Sequence, residues 1–237
     1  MNWSEYKKGV HTGLPVGLGY FSVSFGFGAM AIAQGLSALN ATLISATNLT
    51  SAGQFAGLTL IVAAGTLMEI IMTQIVINSR YSLMSLALSQ RMGQRIGFFP
   101  RLLIAFFNTD EIFALAMDRK EPLTVPFLLG LGTLPFFGWT GGTLMGALAG
   151  SVLPSDIRAA LGVMLYGMFI AIVVPPAKQE KPVLITVILA LIFSCLFAWV
   201  PQLKSVSAGI SIVLCTVAAA AIAAWRFPIA EEQEAAV

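Results

Sequence analysis

The chain has 237 residues, of which 57% are hydrophobic and only 10% are charged, and its mean hydropathy is +0.87. Soluble domains carry charges on about a quarter of their residues, so this composition excludes a soluble protein and indicates a single transmembrane domain over residues 1–237. The net charge of +2 comes from basic residues scattered through short loops, which excludes nucleic acid as a partner and leaves membrane lipid as the surroundings.

Eight apolar segments follow one another along the chain, and each predicts helix because it is too long for a barrel strand and lacks two-residue alternation. They lie at residues 12–36, 40–64, 66–88, 100–117, 123–150, 157–177, 183–200 and 206–226. We expect an all-α polytopic membrane protein with about six transmembrane helices and two re-entrant or broken helical elements, at 40–64 and 100–117. Residues 1–11 are expected to form a cytoplasmic N-terminus, and 228–237 a cytoplasmic acidic tail.

The orientation follows from Lys and Arg, which favour the cytoplasmic side of a membrane. With the 40–64 segment dipping in from outside and the 100–117 segment from the cytoplasm, the cytoplasmic side collects Lys7, Lys8, Arg80, Arg91, Arg95, Arg101, Arg119, Lys120, Lys178, Lys181 and Arg226. Only Arg158 and Lys204 then lie outside. A 100–117 segment that crossed the membrane would fit the rule far less well, so both termini are expected in the cytoplasm.

The first break in an apolar segment is the polar stretch 45–55, Ser-Ala-Thr-Asn-Leu-Thr-Ser-Ala-Gly-Gln-Phe. Irregular backbone at membrane depth is tolerated only where it is buried in protein or lines a cavity, so the stretch predicts a solute site. The expected substrate-binding residues are Asn48, Ser51, Gly53, Gln54 and Phe55, together with Phe25. A half-helix opening near Ser51 would direct N–H groups at a carboxylate, and Gly53 would allow close backbone approach. A polar contact between helices is the alternative.

Acidic residues inside apolar segments are the candidates for proton coupling or for pairing with a substrate ammonium, because ionisable groups at membrane depth are costly and usually functional. Asp110 and Glu111 stand side by side between apolar runs, where two carboxylates repel each other and resist ionisation. An acid pair at the membrane interface, beside a helix cap at Asn108 or Thr109, is the alternative. Glu69 is a third candidate, at the outer end of its helix.

One polar stretch and two stripes of glycine bear on topology and packing. The Asn78–Tyr81 stretch predicts a turn at the cytoplasmic end of the third segment, where it is most simply a topology anchor. Glycines recur every fourth residue in two segments, which predicts close helix packing. These glycines are Gly9, Gly13 and Gly17 in the first stripe and Gly138, Gly142, Gly146 and Gly150 in the second.

Four motifs, in this order and spacing, resemble the AzlC family, the large subunit of branched-chain amino acid exporters. They are the Gly13–Pro15 start, the Ser51–Phe55 break, the Asn78–Tyr81 turn and the Thr109–Glu111 step. The family usually has histidine where this chain has Tyr81. The resemblance implies efflux of valine, leucine, isoleucine and in some members methionine across a bacterial inner membrane. It also implies a small hydrophobic partner subunit of the AzlD type.

Together the residues and the resemblance favour a multi-pass secondary transporter with an amino-acid substrate, and not an enzyme. The only histidine, His11, precedes the first segment, so no intramembrane Ser/His pair or histidine metal cluster can form, and no motif calls for a cofactor. Two alternatives stay open. One is a structural membrane subunit that transports nothing, and the other is the permease subunit of an ATP-driven importer, whose acidic coupling motif is missing from residues 80–101.

Overall fold

The computed structural model describes residues 2–92, 96–150, 156, 170, 173–203 and 205–228. Its α-helices are α1 (Trp3–Ala33), α2 (Ala38–Thr47), α3 (Ser51–Val62), α4 (Leu67–Met92), α5 (Phe98–Phe107), α6 (Asp110–Asp118), α7 (Val125–Gly150), α8 (Lys181–Trp199) and α9 (Ala208–Arg226). Residues 173–179 are also helical, and a 3-10 turn covers Pro201–Leu203. No strand occurs among the described residues, which confirms the all-α fold class.

Several expectations lie outside the described residues. These are most of the 157–177 segment, Arg95, Arg158, Lys204 and the acidic tail from residue 229. Among the described helices, α1, α8 and α9 are long and apolar enough to cross a membrane, judged by length and composition. Both α4 and α7 have 26 residues, which is about 39 Å of helix and also enough for a crossing. The number of six crossings stays a prediction.

Both segments that were expected to be broken are broken. Residues 40–64 form α2 and α3, separated by the first break, Asn48–Thr50, and residues 100–117 form α5 and α6, separated by the second break, Asn108–Thr109. The four half-helices have only 9 to 12 residues each, so none reaches across a bilayer alone. The sides from which they enter stay predictions.

The glycine stripes pack α1 against α7, as expected, and this is the most extensive helix contact of the described chain. A Cβ atom on Gly138 would overlap the carbonyl oxygen of Gly17, and one on Gly146 would overlap that of Phe25. The two backbones therefore touch without intervening side chains, in the manner of small-residue interfaces in membranes. This pair is the rigid support against which the half-helices lie.

The predicted turn at Asn78–Tyr81 is wrong, because α4 runs through it without interruption to Met92. Residues 78–92 contain neither glycine nor proline, the Asn78 side-chain nitrogen donates to Gln74 one turn earlier, and the Ser79 hydroxyl donates to the Val76 carbonyl. Polar composition alone does not end a helix whose polar groups are satisfied in this way. The stretch therefore lies near the middle of α4.

The first helix also begins earlier than hydropathy predicts. Asn2 caps α1 by accepting hydrogen bonds from the backbone N–H groups of Ser4 and Glu5, so residues 3–11 are helical. The Glu5 carboxylate pairs with Arg119 at 2.8 Å, and Arg91 donates to the carbonyl of Arg119. The start of α1, the end of α4 and the connection after α6 therefore share one end of the molecule.

Candidate functional site

The two breaks meet at one cavity of about 180 Å³, together with the middle of α4. Ten residues line it: Thr47 of α2 with Asn48, Leu49 and Thr50 of the first break, Asn78 and Tyr81 of α4, and Ala105 and Phe106 of α5 with Asn108 and Thr109 of the second break. Residues of the polar stretch 45–55, the Asn78–Tyr81 stretch and the Thr109–Glu111 step thus share one small space. The volume is below the 300–1,000 Å³ or so typical of pockets for drug-sized ligands, which suits a smaller solute.

The wall on the side of the first break is held by hydrogen bonds between neutral groups. The Thr50 hydroxyl caps α3 by accepting from the Gly53 N–H, and the Asn48 amide oxygen accepts from the Thr50 N–H. Behind them, the fully buried Gln54 accepts from the indole N–H of Trp139 at 3.1 Å and also bonds to Ser45. This wall carries no ionisable group and its polar side chains are satisfied within the protein.

Of the expected substrate-binding residues, the structure brings only Asn48 to the cavity lining. Ser51 is the first residue of α3, next to the lining residue Thr50. Gly53 packs against Gln74 of α4, which donates to the Gly53 carbonyl at 2.7 Å. The close approach that glycine permits is therefore used by a helix of the same chain.

Two expected aromatic contacts also lie behind the lining. Phe55 is buried in a core cluster, where its ring stands at right angles to that of Phe27. Phe25 lies on α1, where its backbone packs against Gly146 of α7. The sequence could not show which face of each helix would turn inward, because the apolar residues surround these helices on all sides.

The acidic residues of the second break each have a partner from another helix. Asp110 forms an ion pair with Arg80 of α4, with 2.7 Å between the carboxylate oxygen and the guanidinium nitrogen, and both side chains are about half exposed. The buried Tyr20 hydroxyl donates to the Glu111 carboxylate and lies 2.6 Å from the Thr109 hydroxyl. The repulsion expected between the neighbouring carboxylates is thus relieved by a cation on one and a hydrogen bond on the other.

Glu69 is not at the cavity. Its carboxylate accepts from the N–H and the hydroxyl of Thr66 at 2.7 and 2.9 Å, and so caps the first turn of α4. That turn lies beside Ser207 and Gly209 at the start of α9, three turns of helix from Arg80. Within the described residues, no group of three or more His, Cys, Asp or Glu side chains could hold a metal ion.

Sequence reasoning did not assign several polar residues to the site, among them Tyr20, Gln74, Asn78, Arg80 and Tyr81. One signal was present, since Asn78, Ser79 and Arg80 interrupt an apolar run that resumes at Leu83. In a 26-residue helix that crosses a membrane, such an interruption would place a charge near mid-membrane depth, which by itself predicts a functional partner. The helix end predicted at these residues hid this signal.

Comparisons with known proteins agree on one group. A family model described as AzlC protein matches residues 15–153, a range that contains both breaks and every cavity residue. An uncharacterized membrane protein of Archaeoglobus fulgidus is 34% identical over 175 residues, 73% of this chain and 76% of that protein. The inner membrane protein YgaZ of Escherichia coli is 28% identical over 190 residues, covering 77% and 78% of the two chains. An uncharacterized membrane protein of Helicobacter pylori is 28% identical over 186 residues, covering 76% and 80%. No solved structure matches the chain.

Proposed function

Because this chain belongs to the AzlC family of membrane proteins, we propose that it is the large subunit of a secondary transporter that exports branched-chain amino acids. The match and the membrane-protein relatives indicate a transport-related function in a membrane. The observation that supports the finer proposal is the convergence of two discontinuous helices on one small cavity. Broken helices are the usual way in which transporters form a solute site at the middle of the bilayer.

The cavity offers both polar helix ends and apolar walls, as a zwitterion with an apolar side chain requires. We place the substrate carboxylate at the start of α3, beside Ser51 and Thr50, where the helix dipole is positive and no acid is present. The start of α6 is less suitable because Asp110 and Glu111 already occupy its first turn. Leu49 and Phe106 of the cavity lining would contact the branched side chain.

Proton coupling is proposed at the second break. Protonation of Asp110 would remove the charge that pairs with Arg80, and with it the ion pair that joins α6 to α4. Protonation of Glu111 would similarly weaken the charge-assisted hydrogen bond from Tyr20 of α1. Each event alters a contact between a half-helix and a long helix at the cavity, which is the kind of change that alternating access needs.

A small hydrophobic subunit of the AzlD type is proposed as the partner, in a bacterial inner membrane. No residue of α8 is buried against the described chain, although this helix is strongly apolar. Apart from its contact with α9, this helix has an apolar surface that the described residues do not bury, which supports another membrane helix as its neighbour, and transport assays should contain both subunits.

The test is the accumulation of valine, leucine, isoleucine and methionine in dipeptide-fed cells with and without the two subunits. A cavity-filling variant, Ala105→Phe, is compared with Ala114→Phe, which adds the same ring to an exposed position of α6 outside the cavity. We expect export to need the intact chain, to fail in Ala105→Phe and to persist in Ala114→Phe. Equal intracellular levels with and without the chain would instead favour a structural subunit, and ATP-dependent uptake would favour an importer.

A further inference from the structure

Two buried oxygen atoms of the cavity lining have no hydrogen-bond partner among the described residues. They are the amide oxygens of Asn78, on α4, and Asn108, in the second break. Asn108 is 3% exposed, and both oxygen atoms are inaccessible to solvent. Buried polar atoms are normally paired, so two unpaired acceptors at one small cavity are a site that awaits a donor.

The orientation of the Asn78 amide is fixed by a chain of hydrogen bonds that starts at a backbone carbonyl. The Gly53 carbonyl can only accept, so the side-chain nitrogen of Gln74 must face it, at 2.7 Å. The Gln74 oxygen is then turned toward Asn78 and can only accept from the Asn78 nitrogen, at 3.0 Å. The Asn78 oxygen is therefore the atom without a partner in the described part of the chain. Gln74 fixes its orientation because Gln74 is itself bonded to Gly53, near the start of α3.

The Asn108 amide is held more loosely. Its nitrogen donates to the Ser85 hydroxyl at 3.0 Å, and a hydroxyl can either donate or accept. Asn108 ends α5 and Asn48 ends α2, and both residues line the same cavity. Each break also carries the start of the next helix, α6 or α3, so the ends of the helices do not by themselves favour one sign of charge. It is the two unpaired oxygens that call for a donor.

We propose that the amide oxygens of Asn78 and Asn108 bind the ammonium group of the substrate, and that Gln74 is the positioning residue for Asn78. An ammonium group has three donors and no acceptor, so it suits a pair of acceptors. Because both oxygens are closed to solvent in this conformation, the ligand reaches them when the lining residues separate, as alternating access requires. The inference rests on the proposed amino-acid site and narrows its substrate class. The substrate carries a primary ammonium, and the 2-oxo acid of the same carbon skeleton is rejected because its keto oxygen would face two acceptors.

The experiment measures binding to the purified full chain with its small subunit in detergent, so that it does not depend on transport. Three probes are used: L-valine, isobutylamine, which lacks the carboxylate, and 2-oxoisovalerate, which lacks the ammonium. We expect valine to bind, isobutylamine to bind more weakly and 2-oxoisovalerate not to bind. Asn78→Leu and Asn108→Leu should weaken valine binding by about tenfold or more, while the exposed control Asn40→Leu should not.

Two further variants separate a ligand from a structural role. Asn108→Asp keeps an acceptor toward the cavity, because the Ser85 hydroxyl can turn round and donate to the second oxygen, so it should bind valine within about threefold of the unmodified chain. Gln74→Met frees the Asn78 amide to rotate. It should weaken valine binding by a factor between those of Asn108→Asp and Asn78→Leu, without changing the maximal rate of valine transport. A purely structural role of Asn108 would show instead in Asn108→Leu, as a lower melting temperature in detergent with valine binding unchanged in the chain that remains folded.

The outcomes distinguish this inference from the proposed function. If valine binds but 2-oxoisovalerate binds equally well, or if both leucine variants bind valine normally, the ammonium site is wrong and the transporter proposal stands. If isobutylamine binds through the two asparagines while valine is neither bound nor exported, the ammonium site stands and the amino-acid exporter is wrong. Binding of none of the three probes would overturn both.

Discussion

The two helix breaks have similar geometry but opposite chemistry. At the first break, neutral side chains satisfy one another, as when Thr50 caps α3 and the buried Gln54 bonds to Trp139. At the second break, the cap residue Thr109 makes no cap hydrogen bond, and the helix that follows begins with two acids held by Arg80 and Tyr20. A change in protonation therefore leaves the contacts of the first break unaltered, whereas the contacts of the second break depend on the protonation of its two acids.

This difference assigns separate tasks to two elements that hydropathy shows as equivalent. The neutral break packs on α4 and α7, and in the proposed transporter it would act as a fixed wall for the substrate carboxylate. The charged break is joined to α4 and α1 by contacts that a proton can remove, so it is the element expected to move. Substitutions in and around the two breaks test this division of tasks, and the largest expected effects come first.

The largest effect is expected from Gly53→Leu in the neutral break. A Cβ atom there would lie 2.7 Å from side-chain atoms of both Gln74 and Thr50, so a leucine must push the Gln74 side chain away from the Gly53 carbonyl and disturb the Thr50 cap of α3. We expect valine export to fall to background while the chain still inserts into the membrane, at a stability cost of about 1–3 kcal/mol. Gly19→Leu is the control, since a Cβ atom on Gly19 meets nothing within 4 Å. Normal export by Gly53→Leu would show that this wall is not part of the site.

In the charged break, substitution of an acid is expected to uncouple valine transport from the pH gradient more than it weakens valine binding. At least one of Asp110→Asn and Glu111→Gln should still exchange valine across proteoliposome membranes but fail to accumulate it under a pH gradient. The pH dependence of transport should flatten in the same variant, because a neutral side chain keeps one state at every pH.

Glu69→Gln is the matched control for these two variants. It removes an acid of α4 that caps its own helix away from the cavity, and an amide oxygen can still accept from Thr66. We expect its pH dependence to be unchanged. If instead both variants of the charged break keep the normal pH dependence, and Glu69→Gln loses it, the roles of the acids are reversed.

A smaller effect is expected from Gln54→Ala, which tests whether the neutral break is only a wall. The change leaves the buried indole N–H of Trp139 without its partner, at a cost of about 1–3 kcal/mol, and lowers the melting temperature in detergent. Export should fall only in part, and its pH dependence should not change. Gln34→Ala, at an exposed helix end, is the control. A shifted pH profile in Gln54→Ala would mean that the two breaks do not have separate tasks.

The smallest effect on transport is expected from a cysteine at the exposed Lys120, which tests the side from which the charged break enters. If α5 and α6 dip in from the cytoplasm, Lys120→Cys should react with a membrane-impermeant reagent only from the cytoplasmic side. Export should be unaffected. Labelling from outside intact cells would overturn the topology and the re-entrant reading of residues 98–118.

The sequence by itself determined that the protein is an all-α membrane protein, where its apolar helices run, and that residues 40–64 and 100–117 are interrupted. These are local properties, because chain length, hydropathy and helix-weakening residues act within one segment. It also predicted close packing at the two glycine stripes, since glycines at every fourth residue leave one face of each helix open to a neighbour, but it left open whether that neighbour lies in this chain or in another subunit.

Only the tertiary structure decided which polar residues meet. Arg80 and Asp110 are 30 positions apart, and Tyr20 and Glu111 are 91 apart, and no spacing in the sequence predicts either pair. Of the residues expected to bind substrate, only Asn48 lines the cavity, while Gly53 and Gln54 bond to α4 and α7. In a protein that is apolar on every side, the facing of a helix is set by hydrogen-bond partners on other helices, which only the folded chain brings together.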